Sequence, residues 1–337
     1  MKAIVYKEYG PPDVLKLDEI AKPVPKDNEI LVKIHATSVG YGDILARNFK
    51  AVSPSKFNMP LPLWLISKFY FGINQPKVSV LGSELAGVVE AVGKDVTRFK
   101  SGDPVFGYLG QSMGGYAEYI CLPEKAVLAI KPANMTFEEA AVVPMGAIMA
   151  LYLLREKGAI QPGHRVLING ASGGIGSAAV QIAKYFGAEV TGVCSTLRLE
   201  YVKSLGADKV IDYTNQDFTQ NGDAYDLIFD ILGKSSFSDA KSSLKENGRC
   251  LYASFKSRQL LQMLSTSLSG SKKVICALAP GSLEDLISAK DLIEAGHIKV
   301  VIDKGFPLEQ AAEAHRYVEE GHKKGNVVII VTPDEKN

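Results

Sequence analysis

The sequence predicts an α/β protein in which a β-rich region is followed by a doubly wound parallel sheet. Residues 1–123 hold short alternating apolar segments, such as 29–34 and 85–92, separated by proline and glycine. From about Thr136, apolar strand-like runs alternate with helical patterns, as expected for a parallel sheet covered by helices. A glycine-rich turn joins the first of these runs to the helical pattern after it, and it is the most informative stretch of the chain.

Six strand-like runs define the predicted parallel sheet: 165–168, 189–193, 209–211, 227–230, 249–253 and 273–277. The last part of the chain changes character again, because strand-like runs at 300–303 and 327–331 flank a helical pattern at 308–319. We expect these elements to return to the first sheet. The predicted domains are therefore 1–123 with 295–337, and 124–294 between them.

The glycine turn follows the apolar run 166–168 and precedes a helical face formed by Ile175, Ala179, Ile182 and Phe186. Its residues are Gly170, Ala171, Ser172, Gly173, Gly174, Ile175 and Gly176. Glycines allow a pyrophosphate to approach the backbone, and the free N–H groups of a helix N-terminus attract its negative charge. The order strand, turn, helix predicts a dinucleotide site; the alternative is a tight turn that only packs helix on sheet.

The composition argues against several other classes of protein. The 337 residues are 46% hydrophobic and 22% charged, which is typical of a globular protein of enzyme size. The net charge is +1, so the composition gives no indication that the partner is a nucleic acid or an acidic membrane surface. The N-terminus lacks a signal-peptide pattern, and no apolar run is long enough to span a bilayer. Cys121, Cys194, Cys250 and Cys276 lie far apart, which favours free thiols in a reducing, cytoplasmic location.

The segment 54–75 is unusually aromatic and contains the only tryptophan. Its large apolar residues are Phe57, Trp64, Leu65, Ile66, Phe69, Tyr70 and Phe71. Two interpretations remain open: a lid over an apolar substrate pocket, or ordinary packing between domains.

Several motifs together resemble the medium-chain dehydrogenase/reductase superfamily in its zinc-free quinone oxidoreductase branch. They are 1–5 with 10–15, the stretch 82–89 with Gly93, Phe99, 102–103 and 105–107, the stretch 163–184 with Gln181, 204–208, and 325–328. The resemblance spans nearly the whole chain. It implies a GroES-like β-barrel domain, a Rossmann domain, a cleft between them, and a homodimer formed by pairing of edge strands.

The resemblance also implies that no catalytic metal is bound. Ser83 stands where zinc-dependent relatives carry a histidine, and the loop 38–43 has no cysteine. The five histidines have no metal-ligand spacing: His35, His164, His297, His315 and His322. Without a Lewis acid, reduction of an already electrophilic acceptor is easier than deprotonation of an alcohol.

The end of the second strand predicts the cofactor. Dehydrogenases that use NAD usually place an acidic residue there, whereas this chain has Cys194, Ser195, Thr196 and Arg198, which favours NADPH. The alternative interpretation is that Arg198 does not bind the cofactor and is a solvated residue of the helix that follows. The resemblance implies further cofactor contacts from Met149, Tyr213, Leu232, Ala253, Ser254, Phe255 and Asn326.

Tyr41 is the candidate catalytic residue, because the resemblance places its loop opposite the nicotinamide. It can donate a hydrogen bond or a proton to the substrate; the alternative is that it only packs against the ring. Tyr252 and Lys256 also fit the Tyr-x-x-x-Lys pattern of short-chain dehydrogenases, but Tyr252 lies in a strand-like run, so the match is interpreted as coincidence.

The predicted function is NADPH-dependent reduction of a small apolar quinone, or of the C=C bond of an α,β-unsaturated carbonyl, without zinc. The alternatives are an alcohol dehydrogenase or carbonyl reductase, and a nucleotide-binding protein with little turnover.

Overall fold

A computed structural model describes residues 1–321 and 323–332. Its strands are β1 (Lys2–Val5), β2 (Lys16–Glu19), β3 (Glu29–Ser38), β4 (Glu84–Val92), β5 (Pro104–Tyr108), β6 (Tyr119–Pro123), β7 (Leu128–Ile130), β8 (Arg165–Asn169), β9 (Glu189–Cys194), β10 (Lys209–Asp212), β11 (Tyr225–Asp230), β12 (Leu244–Tyr252), β13 (Lys273–Cys276), β14 (Ile302–Pro307) and β15 (Asn326–Ile330). Its α-helices are α1 (Tyr41–Arg47), α2 (Leu61–Phe71), α3 (Phe137–Ala141), α4 (Pro144–Tyr152), α5 (Gly174–Tyr185), α6 (Leu199–Ser204), α7 (Phe237–Ala240), α8 (Ser257–Leu268), α9 (Leu283–Glu294) and α10 (Ala311–Glu319).

The second half of the chain forms a parallel sheet in the order β10-β9-β8-β11-β12-β13. The strand order reverses at β8, which pairs with β9 on one side and β11 on the other. Val166, Ile168 and Val190 are fully buried because helices cover both faces. The predicted doubly wound sheet is confirmed, and its crevice lies at the carboxyl ends of β8, β9 and β11, where such sheets bind ligands.

The first part of the chain forms a second sheet in the order β14-β15-β3-β4-β5-β7, with β6 also pairing with β3. The end of the chain returns to this sheet as expected, since β15 runs antiparallel to β3 through the pair Val328 and Ser38. The predicted boundary at residue 123 assigned β7 to the other domain, but β7 pairs with β5 in this sheet. Residues 333–337, included in the predicted domain range, lie outside the described residues.

Helices α4 and α5 cross closely and connect the sheets. A Cβ added at Gly146 on α4 would lie 2.6 Å from the carbonyl oxygen of Gly174, so the two backbones touch. Gln181 on α5 receives a hydrogen bond from the Lys299 amide at 2.8 Å and donates one to its carbonyl at 3.0 Å. These bonds fix α5 against the chain that returns to the first sheet, and they give Gln181 a structural role.

No helix among the described residues is long and apolar enough to cross a bilayer.

Candidate active site

The glycine turn has the backbone geometry that the sequence predicted. Gly170 has φ of +93°, which disfavours any residue with a Cβ. A Cβ on Gly176 would lie 2.1 Å from the carbonyl oxygen of Gly170, so only glycine allows α5 to start this close to β8. The turn therefore brings the N-terminus of α5 to the crevice of the parallel sheet.

The first turn of α5 presents free donors. The amide of Ser177 donates to the carbonyl of Gly173 at 2.8 Å. Within the described residues, the N–H groups of Gly174, Ile175 and Gly176 have no acceptor. Asn326, from the other sheet, faces this end, because its side-chain oxygen would lie 3.8 Å from a Cβ on Gly174. These groups fit a pyrophosphate held at the edge of the interdomain cleft.

Arg198 bridges the two domains beside the end of β9. Its guanidinium donates to Ser195 Oγ at 3.1 Å, to the carbonyl of Lys323 at 3.1 Å and to the carbonyl of Gly321. Lys323 lies close by, and burial together with the charge of Arg198 lowers the pKa of its ammonium group. Sequence analysis did not select Lys323. This residue adds a second cation to the predicted phosphate site.

The structure also brings an acidic residue to this site that sequence analysis missed. Asp212 ends β10 and accepts hydrogen bonds from the side chains of Thr196, Thr214 and Asn215 at 2.5 to 2.9 Å. These bonds, that of Thr196 first, lower its pKa. Because three side chains already occupy the carboxylate, Asp212 organises the loop that carries Thr196. Sequence analysis could have found Asp212 from its position at the end of β10, the strand that pairs with β9.

A cavity of about 460 Å³ lies beside the turn. It is lined by Asn169, Val193, Tyr213 and Leu232, together with residues of the segments 216–219 and 234–239. Tyr213 and Leu232, both predicted to contact the cofactor, are exposed and line this cavity. Two predicted contacts lie deeper: Cys194 and Phe255 are buried in the core, and burial raises the pKa of the Cys194 thiol to about 11.

A second cavity, of about 410 Å³, lies between the two domains. Met149, Ile175, Ala253 and Ser254, all predicted to contact the cofactor, line one side of it. The remaining wall is mostly apolar and is formed by Gly42, Leu45, Phe57, Met59, Leu63, Ser67, Phe71, Ser83, Tyr108, Gly110, Gln111, Met113, Met145, Leu153, Ala277, Leu278 and Ala279. The cavity thus joins the nicotinamide end of the predicted site to an apolar chamber.

Tyr108, which sequence analysis did not select, is one of the residues that line this chamber. The ring lies against Gly281, where an added Cβ would be 3.1 Å away, and the hydroxyl has no hydrogen-bond partner among the described residues. Burial, reinforced by the charges of Glu84 and Asp43, raises its pKa to about 12. Tyr41, the predicted catalytic residue, begins α1, is 65% exposed and is not among the residues lining the cavity.

Two buried carboxyl groups, those of Asp43 and Glu84, lie beside Ser83, the position that the sequence resemblance aligned with a histidine of zinc-dependent relatives. Asp43 accepts hydrogen bonds from the amides of Gly40 and Gly82 at 2.8 and 3.0 Å. Glu84 accepts from Ser38 Oγ and from the amide of Met145 at 2.7 Å. Burial raises the pKa of Asp43 to about 6 and that of Glu84 to about 7. Their bonds tie α1 and α4 to the first sheet beside the cavity.

No group of three or more His, Cys, Asp or Glu side chains able to hold a metal ion occurs in residues 1–321 and 323–332. His315 is buried and bonded to Arg47 and Tyr116, in the core of the first domain. His322 lies outside the described residues. Tyr252 and Lys256 do not act as a pair, because the Tyr252 hydroxyl donates to the Ser235 carbonyl and Lys256 reaches the Ser55 carbonyl.

The aromatic segment 54–75 lines the apolar cavity and also contacts the other domain. Phe57, Leu63 and Phe71 line the apolar cavity. Asn58 donates to the carbonyl of Leu232 in the other domain at 3.1 Å, so the segment also bridges the domains. Trp64 does not line the cavity, and its indole N–H donates to the carbonyl of Val52 at 2.8 Å.

Comparison with known proteins agrees with this architecture. Residues 26–132 match the alcohol dehydrogenase GroES-like domain, and residues 205–329 match the family named zinc-binding dehydrogenase. The chain is 35% identical over 347 residues to 2-methylene-furan-3-one reductase of Solanum lycopersicum, covering 99% of this chain and 80% of that protein. It is 30% identical over 344 residues to quinone oxidoreductase of Homo sapiens, covering 98% of each.

Among solved structures, Escherichia coli quinone oxidoreductase complexed with NADPH superposes with a TM-score of 0.81 and 27% identity, over 98% of this chain and 100% of that one. The two domain matches, the full-length relatives and the shared fold lead to one conclusion: the chain belongs to the medium-chain dehydrogenase/reductase superfamily, in its quinone oxidoreductase-like branch.

Proposed function

We propose that the protein is an NADPH-dependent oxidoreductase that reduces quinones, or the C=C bond of α,β-unsaturated carbonyl compounds. The observation that carries this proposal is the apolar cavity whose one side consists of the residues predicted to contact the nicotinamide. An acceptor held there would lie directly against the hydride donor. Chemistry of this kind depends mainly on positioning, which a shaped apolar chamber supplies.

The relatives support the acceptor class. The tomato protein is named for 2-methylene-furan-3-one, in which a C=C bond is conjugated with a carbonyl group, and the human protein is named for quinones. Both acceptors delocalise the negative charge that arrives with the hydride. The apolar methionine- and phenylalanine-lined wall suits such compounds better than charged ones.

Bound NADPH would supply the hydride. The free amides at the start of α5 and Asn326 would hold its pyrophosphate side, and Ser195 with Arg198 would bind its 2′-phosphate. In an enone, a hydride added to the β-carbon shifts the C=C electrons toward the carbonyl oxygen. A proton from solvent or from a protein hydroxyl then completes reduction at the α-carbon.

We assign the hydrogen bond to the acceptor oxygen to Tyr108. Tyr108 lines the chamber, its hydroxyl group has no hydrogen-bond partner among the described residues, and burial raises its pKa further above neutrality to about 12, so the phenol can donate. The sequence had suggested Tyr41 for this role, but Tyr41 is exposed, which makes Tyr108 the better candidate.

The proposed reaction needs no zinc. The proposed homodimer would form through the edge strand β13, and the four free cysteines agree with a cytoplasmic location.

Steady-state NADPH oxidation with an apolar alkenal and its saturated aldehyde tests this function. We expect kcat/KM to be much higher for the alkenal. Tyr108→Phe should lower kcat for the alkenal on the order of tenfold, the value of one hydrogen bond, with a smaller change in KM. The matched control, Tyr41→Phe, should leave kcat within about twofold, since Tyr41 does not line the cavity.

Preference for the saturated aldehyde would overturn the proposal in favour of a carbonyl reductase. Binding of NADPH without turnover of quinones, enones or aldehydes would favour the non-enzymatic alternative. A larger loss in Tyr41→Phe than in Tyr108→Phe would restore the original catalytic assignment.

A further inference from the structure

Helix α2 carries large apolar side chains on its exposed half as well as on the half that the protein covers. Leu63, Trp64, Ser67 and Phe71 face inward, and three of them, Leu63, Ser67 and Phe71, line the apolar cavity. Residues on the outer half are Leu61, Pro62, Leu65, Ile66, Phe69 and Tyr70. A cluster of exposed large apolar side chains on one helix indicates an interaction surface.

The outer half forms one continuous strip. Helical spacing aligns Leu61, Leu65 and Phe69 along it, with Ile66 and Tyr70 beside them. Ile66 and Phe69 are 62% and 63% exposed. We call this surface, Leu61–Tyr70 on its outward side, the α2 strip.

The α2 strip is held firmly on the first domain. The hydroxyl of Tyr9 donates to the carbonyls of Phe71 and Gly72 at 2.8 Å, and Trp64 is anchored to Val52. Phe71 is buried against Phe49, with ring centroids 5.2 Å apart. The strip is therefore a fixed surface of the folded protein.

The segment that contains the strip is rich in lysine. From residue 44 to residue 83 the sequence contains no Asp or Glu but holds Arg47, which is buried and paired with Glu319, and four lysines: Lys50, Lys56, Lys68 and Lys77. The net charge of this segment is therefore more positive than the +1 of the whole chain. Lys68 lies over the Trp64 ring at 4.8 Å, and the Lys77 ammonium donates to the Phe69 carbonyl at 2.8 Å. Gln75, within this segment, shares a surface groove with residues of both charges: Lys7, Glu8, Asp13, Lys16 and Asp18.

We propose that the α2 strip docks the protein on the surface of an anionic lipid bilayer. Leucine, isoleucine and aromatic side chains enter the boundary between headgroups and acyl chains, while flanking lysines are attracted to anionic headgroups. With 11 residues the helix is too short to span a bilayer, so it lies in the interface. A second copy of the chain fits less well, because a symmetric contact would bring like-charged lysines together with no acid in the segment.

Docking would place the cavity beside the lipid, since the inner side of the same helix lines it. An apolar acceptor dissolved in the bilayer would then have a short path to the site. Only this last step rests on the proposed function, and docking itself is measured without turnover.

The test is co-sedimentation of the full chain with vesicles of phosphatidylcholine alone and of phosphatidylcholine with one-quarter phosphatidylglycerol. We expect the partition coefficient to be about tenfold or more higher for the anionic vesicles and to fall as salt rises. The double variant Ile66→Glu/Phe69→Glu should lose at least about tenfold of that binding. Neither residue lines the cavity, so NADPH oxidation with a water-soluble acceptor should stay unchanged and report correct folding.

Leu261→Glu/Leu264→Glu is the matched control, because it adds the same two charges on another helix, α8, where these leucines are 67% and 59% exposed. It should bind anionic vesicles as the unmodified chain does. Absence of binding to anionic vesicles, equal binding to neutral ones, or equal loss in the control would each overturn the proposal. A double variant that changes the sedimentation mass of the protein in solution, while vesicle binding persists, would instead identify the α2 strip as a contact between protein chains.

Discussion

Replacing Arg198 with alanine tests the assignment of the cofactor phosphate site. The guanidinium is held beside Ser195 Oγ at 3.1 Å, so Arg198→Ala removes the permanent charge at the place where a 2′-phosphate is expected. A hydrogen bond to a charged group contributes about 1.5–3 kcal/mol, which corresponds to roughly 10- to 150-fold in affinity. Solvent screens this half-buried site and two donors are engaged by backbone carbonyls, so we expect a value near tenfold.

The measurement is a fluorescence titration of the unmodified protein and Arg198→Ala with NADPH and with NADH. Arg198 also bonds the carbonyls of Gly321 and Lys323 across the cleft, and the loss of those bonds affects both cofactors equally. The ratio of the two dissociation constants therefore isolates the 2′-phosphate interaction. NADPH affinity should fall about tenfold more than NADH affinity, and high salt should reduce the NADPH advantage of the unmodified protein.

Arg316→Ala removes an exposed arginine paired with Asp13 and serves as the control, with both affinities unchanged. If Arg198→Ala weakens NADPH and NADH by the same factor, Arg198 only connects the domains. Equal affinity of the unmodified protein for the two cofactors would refute the preference itself.

Three further predictions concern the turn, the buried carboxyl groups and the metal. Gly176→Ala should lower the unfolding free energy of the cofactor-free protein by about 1–3 kcal/mol in urea titrations, because the added Cβ would lie 2.1 Å from the Gly170 carbonyl oxygen. Gly174→Ala is the control and should change the unfolding free energy far less, because its added Cβ has its nearest contact at 3.8 Å. Burial raises the pKa of Glu84 from 4.5 to about 7, so the folded state retains a proton that the unfolded state releases, and the unfolding free energy falls as pH rises across that window. Glu84→Gln should reduce this decline by about 3 kcal/mol in urea titrations from pH 4.5 to 7.5, and an unchanged slope would contradict the assignment. Dialysis against a strong chelator should leave NADPH oxidation unchanged, whereas loss of activity that zinc restores would show that a metal takes part.

The dinucleotide unit is the part that sequence could predict best, because it depends on local rules. Strand, glycine turn and helix follow one another in the chain, and the close contact between Gly176 and Gly170 spans only a few residues. The alternation of strands and helices likewise implied a parallel sheet with its binding crevice at the strand ends. Resemblance to the superfamily extended this prediction to the first domain.

The apolar chamber could not be read from the chain, since its walls come from segments far apart in sequence. Tyr108, Met149 and Ala253 meet only after the two sheets pack together, and no periodicity connects them. Tyr41 illustrates the same limit, because tertiary contacts decide whether the first side chain of α1 lines the cavity or lies exposed.

Sequence alone thus determined the parallel sheet, the glycine turn and the absence of an acidic residue from the end of β9, all of which depend on neighbours within a few residues. Tertiary structure decided which tyrosine lines the apolar cavity, that Asp212 and Lys323 lie beside the predicted phosphate site, and which half of α2 remains uncovered. The physical reason is that burial and long-range contacts are properties of the packed molecule, whereas the helix and turn preferences are already present in the unfolded chain.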